Sequence, residues 1–327
     1  MSGVAPALSR ALDAVLDGAD PSALRRATVR LVEVYRSGAP PSAQVLADPT
    51  SALAYAAYRM PATHAAVARA LREGSRVGAL DGVRRLVDVG GGTGAAAWAV
   101  AGAVPGLESV VVVDSSADAL VLGRRVARHG PPVVAGATWT RTDLADRAPL
   151  PAGDLATLSY VLGELPEDLR PAVVDALAAA APRVLVVEPG TPRGYAAVLA
   201  ARDRLLALGW HLAAPCPHAL ACPVAAREGD WCHVAARLDR SALHRRLKGA
   251  TLGHEDEKLS YVLATREPVT AAPGRVLRRP QTRKGLVGLE VCRADGTAGP
   301  EVVTRRDRER YRQARDTGWG DPWPPAV

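Results

Sequence analysis

Two periodicities divide the chain. Up to about residue 80, apolar positions recur at helical spacing, as in Leu24, Val29, Leu31, Val32 and Val34 and again in Val67, Ala70 and Leu71. Pro21 follows Asp20 and Pro49 follows Asp48, pairs that predict helix starts with a capping carboxylate. From Arg85 the pattern changes to short apolar runs alternating with amphipathic stretches. It predicts strands at Arg85–Val89 and Val110–Asp114, near Val133–Trp139, and at Leu155–Val161 and Val184–Glu188. Helices are expected over Gly94–Ala103, Ala117–His129 and about Glu167–Ala180. Such alternation predicts an α/β protein with a parallel sheet covered by helices on both faces, where ligands bind at the carboxyl ends of the strands.

Further on, Asp239–Ala250 reads as a helix and Lys258–Thr265 as a strand. A linker, Pro268–Gly274, precedes a hairpin of Val276-Leu277 and Leu286–Val291, and Arg305–Arg315 reads as a basic helix. The expected organisation is a helical module over 1–80, a sheet domain over 81–267 with an insertion at 211–235, and a C-terminal extension over 268–327.

Charge sharpens this division. Residues 227–315 hold 20 Lys and Arg against 12 Asp and Glu, and the rest of the chain 21 against 22, so the net +7 belongs to the C-terminal third. The absence of Phe and the presence of only three lysines point to a GC-rich genome and carry no functional message. No stretch stays apolar long enough to span a bilayer, and the first ten residues lack a targeting pattern. The expectation is a cytoplasmic protein whose thiols stay reduced, which favours a metal or cluster site over disulfides.

The first strand runs into Asp88-Val89-Gly90-Gly91-Gly92-Thr93-Gly94, which opens a helix. Glycines suit a tight turn whose backbone must approach a ligand. The acid followed by Gly90, Gly92 and Gly94 resembles motif I of class I S-adenosylmethionine-dependent methyltransferases. That resemblance implies that Asp114, at the end of the second strand, meets the ribose hydroxyls and that Asp143 meets the adenine amino group. After the fourth strand, Ser159–Leu165 stands where base-amino methyltransferases carry an Asn/Asp-Pro-Pro-aromatic motif, and that motif is missing. Tyr160 and Glu164 are left as candidates to orient or deprotonate a substrate.

All four cysteines lie beyond residue 215, as Cys216, Cys222, Cys232 and Cys292. The spacing lacks the short knuckle of structural zinc sites. Four thiols suit a [4Fe-4S] cluster, and cysteine-proline pairs end a common ferredoxin ligand run. His218 and His233 keep a mixed Cys/His zinc site open. Pro215-Cys216-Pro217-His218, Cys222-Pro223, Asp230–His233, His244-Arg245 with Lys248, His254–Tyr261, Arg278–Gly285 before Cys292, Tyr58–Thr63 and Trp319–Trp323 together resemble the methyltransferase-like small-ribosomal-subunit protein family of mitochondria and bacteria.

The resemblance covers nearly the whole chain. It implies a class I methyltransferase (Rossmann-like) sheet with an N-terminal helical module and a cysteine-rich, basic C-terminal extension. It further implies a cluster held by the four cysteines, S-adenosylmethionine as cofactor, and association with small-subunit ribosomal RNA and the small-subunit precursor, with neither DNA nor membrane as partner. Arg245, Lys248, Arg278, Arg279, Arg283 and Lys284 are the candidate RNA-binding residues. The leading expectation is an assembly factor on this scaffold. An active ribosomal RNA methyltransferase, or a small-molecule methyltransferase with a zinc clip, stands as the alternative.

Overall fold

A computed structural model describes residues 4–36, 49–239 and 254–325. The N-terminal module holds α1 (Val4–Leu16), α2 (Pro21–Arg36), α3 (Pro49–Tyr58) and α4 (Met60–Arg76). Asp20 caps α2 by accepting from the Ser22 amide at 2.8 Å; the expected cap Asp48 lies outside the described residues. Helix α4 is the most deeply set: Met60, Val67, Ala70 and Leu71 are fully buried. Gly74 lets it lie close to the sheet, since a Cβ there would sit 2.4 Å from Leu263 Cδ2.

The sheet domain follows as β1 (Arg85–Val89), α5 (Ala95–Ala103), β2 (Ser109–Asp114), α6 (Ala117–Ala127), a short α7 (Pro132–Ala135), β3 (Thr138–Arg141), β4 (Leu155–Ser159), α8 (Arg170–Ala180), β5 (Arg183–Pro189), α9 (Pro192–Ala207), β6 (His211–Ala214), β7 (Val234–Asp239) and β8 (His254–Thr265). The third strand is shorter than its sequence suggests. Pro132 at the start of α7 and Gly136 at its end turn Val133–Ala135 into one helical turn.

The strand order is β3-β2-β1-β4-β5-β8-β6, with β7 paired to the other half of β8. Strands β1 to β5 are parallel, and β8 runs antiparallel between β5 and β6. This is the class I S-adenosylmethionine-dependent methyltransferase fold. Both faces of the sheet are buried because alternate side chains of each strand point to opposite sides. In β5, Leu185 and Val187 join the core beneath α1 and α3–α6, and Val184 and Val186 join the core beneath α8 and α9. Each such side chain contributes about 1.5–3 kcal/mol by leaving water.

The C-terminal residues form a second sheet of β9 (Gly274–Val276), β10 (Gln281–Arg283), β11 (Leu286–Arg293) and β12 (Ala298–Thr304), backed by α10 (Arg308–Asp316). Strand β11 alternates cleanly, with Val287, Leu289 and Val291 inward beside Val276, Val303 and Trp323. Leu286–Val291 was expected to pair with Val276-Leu277, and β9 does pair with β11. The basic connection is itself structured: β10 returns onto β11 through a tight turn at Lys284-Gly285, where Gly285 has φ +85°.

A buried ion network ties this sheet to the rest. Arg275, 3% exposed, donates to Glu73 Oε2 at 2.7 Å, to Gly320 O at 2.7 Å and to Pro215 O at 2.9 Å. Glu73 on α4 also accepts from Arg69 and from Arg76, and Arg69 reaches Asp321 at 3.1 Å. Burial alone would push Glu73 up; Arg69 and Arg275 override it and hold the carboxyl below its usual range.

Candidate functional site

The glycine loop leaves β1 and wraps the start of α5. Gly90 and Gly94 have φ of +60° and +83°, a region that favours glycine. Close packing reinforces the requirement: a Cβ on Gly90 would lie 2.4 Å from Val161, and one on Gly94 would lie 2.7 Å from Trp139. The Gly92 amide donates to Asp114 Oδ2 at 2.8 Å, and the Ser116 amide donates to Asp114 Oδ1 at 2.8 Å. The β2 carboxylate is therefore aimed across the loop. Asp143 caps the turn after β3 by accepting from the Ala145 amide at 2.9 Å and stays exposed at the pocket edge.

These residues surround a cavity of about 590 Å³ at the carboxyl ends of β1, β2 and β4, of ordinary size for a small-molecule site. The helical module contributes Tyr55 and Thr63 to its wall. Three buried polar atoms in that wall have no partner among the described residues: Asp88 Oδ2, Thr63 Oγ1 and Ser159 Oγ. Unpaired groups of this kind are costly in an apolar interior, and they suit a polar ligand. Asp88 is fully buried, and burial pushes its carboxyl up to about 7 even though Thr157 donates to it at 2.8 Å.

The loop after β4 holds the remaining polar groups. Tyr160, at φ +62°, donates to Glu257 Oε1 at 2.9 Å, and Arg59 pairs with the same oxygen at 3.1 Å while lying over the tyrosine ring. Glu188 accepts from the amides of Val161 (2.9 Å), Leu162 (2.8 Å) and Gly163 (3.3 Å), fixing the loop; burial nevertheless pushes it up to about 7. Glu164 is reachable from solvent through the open pocket. Protein enclosing it on most sides, with Glu188 and Asp114 nearby, pushes its carboxyl up to about 8. Arg59 and Glu257 lie in stretches that carry the family resemblance, but their pairing with Tyr160 is not visible in the sequence because the three are far apart along the chain.

The four cysteines come from three segments and meet beside α9. Cys292, buried on β11, packs with Val224 and Leu277, and Cys222 and Cys232 lie against that group. Cys216, Cys222 and Cys232 border a small cavity of about 40 Å³. Burial pushes the Cys292 thiol up to about 12, reinforced by the charges of Cys216 and Cys222. Polar groups converge on the sulfurs: Tyr195 Oη donates to Cys222 Sγ at 3.2 Å, His218 Nε2 lies 3.4 Å from Cys292 Sγ, and the Arg202 charge offsets part of the burial that pushes the Cys216 thiol up. Among the described residues, no group of three or more His, Cys, Asp or Glu side chains is arranged to hold a metal ion. His233 also borders the small cavity, with its Nδ1 at 3.0 Å from Trp231 O and its ring stacked on Trp231.

The expected RNA-binding residues divide into three groups. Arg283 and Lys284 are exposed at the β10–β11 turn. Arg279 pairs with Asp256 at 3.0 Å, and Arg278 is bound to Asp230 and to the Leu277 carbonyl, where it joins the C-terminal sheet to the cysteine segment. Arg245 and Lys248, with the helix expected around them, lie outside the described residues.

Comparison with known proteins gives the chain its relatives. The family described as mitochondrial small ribosomal subunit Rsm22 matches residues 49–324. The human ribosome assembly protein METTL17, mitochondrial, is 30% identical over 299 residues, covering 83% of this chain and 62% of that protein. The Rsm22-cox11 tandem protein 2, mitochondrial, of Schizosaccharomyces pombe is 26% identical over 183 residues, covering 43% of this chain and 24% of that protein. The chain thus spans about three fifths of the length of the human relative and about a quarter of the yeast one.

Solved structures with a loose likeness include the magnesium protoporphyrin IX methyltransferase of Synechocystis with bound S-adenosylmethionine (18% identity, TM-score 0.38, 63% of this chain and 80% of that one). The ribosomal protein L11 methylase of Lactobacillus delbrueckii is another (14% identity, TM-score 0.36, 62% and 78%). The fold assignment rests on the strand order rather than on these likenesses.

The cytoplasmic expectation is overturned, because the family description and the curated relatives all name the mitochondrion. That expectation leaned on the N-terminal residues, which say nothing of compartment when a chain spans only part of its relatives. With most of its length matched, the chain belongs to the mitochondrial small ribosomal subunit Rsm22 family.

Proposed function

We propose that this protein is a small-ribosomal-subunit assembly factor that binds small-subunit ribosomal RNA through its basic C-terminal face, on a scaffold that binds S-adenosylmethionine and is pinned by a [4Fe-4S] cluster. The observation that carries the reading is the seam. Cys292, on a strand of the basic C-terminal sheet, lies with three cysteines of the methyltransferase-fold domain. A group bound by all four would tie the RNA-facing sheet to the scaffold and contribute its binding energy to folding.

Two fits support the cofactors. In the glycine-loop cavity, Asp114, held by the Gly92 and Ser116 amides, would accept from ribose hydroxyls and Asp143 would meet the adenine edge, and the unpaired Asp88 Oδ2, Thr63 Oγ1 and Ser159 Oγ suit a polar ligand. At the cysteines the donor set is four thiols, with Tyr195 and His218 within hydrogen-bond reach of sulfur and the Arg202 charge near Cys216, groups of the kind that tune cluster thiolates. Cys216, Cys222, Cys232 and Cys292 would hold the cluster, which supplies a cross-link between distant segments. Zinc is the second reading there, and iron, sulfide and zinc content of anaerobically purified protein separates the two.

The test of the function is sedimentation of the purified protein with small-subunit precursor particles at moderate salt. Selective association is expected, and equal association with mature and large-subunit particles would sink the proposal. Methyl transfer to ribosomal RNA is favoured by the accessible Glu164 and by Tyr160 in the same cavity. It gains support if a deletion strain lacks a ribosomal RNA methyl group present in its parent.

A further inference from the structure

A groove of about 360 Å³ lies between the two sheets and shares no lining residue with the glycine-loop cavity or the cysteine cavity. Its walls are Arg237 on β7, Asp256 on β8, Arg279 and Thr282 before and in β10, and Arg315 and Trp319 at and after the end of α10. Three guanidinium groups face one carboxylate. Asp256 accepts from Arg237 at 2.8 and 3.1 Å and from Arg279 at 3.0 Å, which holds two of the arginines side by side. Arg315 is exposed and makes no ion pair among the described residues. The groove therefore keeps a surplus of positive charge after its internal pairing.

Trp319 is half-buried and fixed. Its Nε1 donates to His233 O at 3.0 Å, and its ring meets the His233 ring edge-on with centroids 5.0 Å apart. An indole already locked in place loses little freedom when a flat ligand packs on it, and nucleobases of every kind have the face to do so. Arg283 and Lys284, exposed at the turn that follows Thr282, add positive charge near the groove without lining it.

We infer that this groove holds single-stranded RNA, with one base against Trp319 and its flanking phosphates on Arg279 and Arg315. The inference rests on the RNA-binding reading and deepens it by assigning the contact to one place and to unpaired strands. Duplex RNA presents phosphates but keeps its bases stacked, whereas an unpaired segment offers both.

The test is fluorescence anisotropy of a labelled twelve-nucleotide single-stranded RNA against the full-length protein at several salt concentrations. The variants are Arg315→Ala, Arg315→Glu, the double Arg279→Ala/Arg315→Ala and Trp319→Phe, with Arg125→Ala on α6 as a charge control and circular dichroism melts to check folding. Arg315→Ala is expected to weaken binding and to lower the slope of log affinity against log salt by about 1, with the control unchanged. Arg315→Glu should weaken it further, and a 4-thiouridine probe should crosslink to the peptide holding Trp319. If the folded double variant binds within twofold of the parent at an unchanged slope, the groove is not the site, although RNA binding stands. If the parent protein itself binds no RNA, both readings fall.

Discussion

At the scale of single residues, the glycine-loop cavity concentrates carboxyl groups whose protonation a cationic ligand would control. Burial pushes Asp88 up to about 7, and Glu164, enclosed by protein on most sides with Glu188 and Asp114 nearby, is pushed up to about 8. Each is raised above its unfolded value, so each favours the folded apo protein at low pH and loses that contribution as pH rises through about 7 to 8. A sulfonium cation reverses the preference by stabilising the ionised forms. Affinity for S-adenosylmethionine should therefore climb by up to about tenfold for each carboxyl shift of one unit as pH rises from about 6 to about 9. The neutral-sulfur product S-adenosylhomocysteine should respond less. Calorimetric titration across pH checks this, with Glu164→Gln expected to flatten the profile; a profile that is flat in the parent counts against the assignment of this cavity to the cofactor.

At the scale of elements, the junction between helix α4 and strand β9 is the part most exposed to a single change. Glu73 faces Arg69, Arg76 and Arg275 inside the protein. Glu73→Gln removes the carboxylate that pairs with Arg275 and shares Arg69 with Asp321, so unfolding by denaturant should show a loss of about 3–5 kcal/mol. Because Arg69 and Arg275 hold the Glu73 carboxyl low, the parent keeps this contribution above the ordinary carboxyl range and loses it as pH falls below it. A variant as stable as the parent would mean that the two sheets do not depend on this network.

The same elements mark what a reader of the sequence could see. Strands such as β5 were legible because both faces are buried and the apolar run is continuous. Strand β10 was not, since Gln281, Thr282 and Arg283 are exposed and leave no hydrophobic signature. The cysteines announced themselves by confinement to one end of the chain, and the glycine loop by its spacing. Tyr195, Arg202, Arg59 and Glu257 did not, because their roles exist only once α9, α4 and β8 are side by side. Arg278, read from charge as an RNA contact, also pairs with Asp230; charge density does not reveal which cations are paired within the protein.

At the scale of the whole molecule, the account joins a methyltransferase-fold domain, with its helical module, to a small basic sheet. The joint is made by the buried Arg275 network and by the four cysteines, so the surface expected to meet RNA is positioned by groups that lie behind it. Under the proposed function, that surface works at the small ribosomal subunit, a reading supported by membership of the Rsm22 family and by the charge asymmetry of the C-terminal third. The most direct measurement is RNA crosslinking of the tagged protein in cells, read out by nucleotide position. The account predicts crosslinks concentrated at discrete positions of small-subunit ribosomal RNA in immature particles; crosslinks no denser there than on large-subunit or messenger RNA would contradict it.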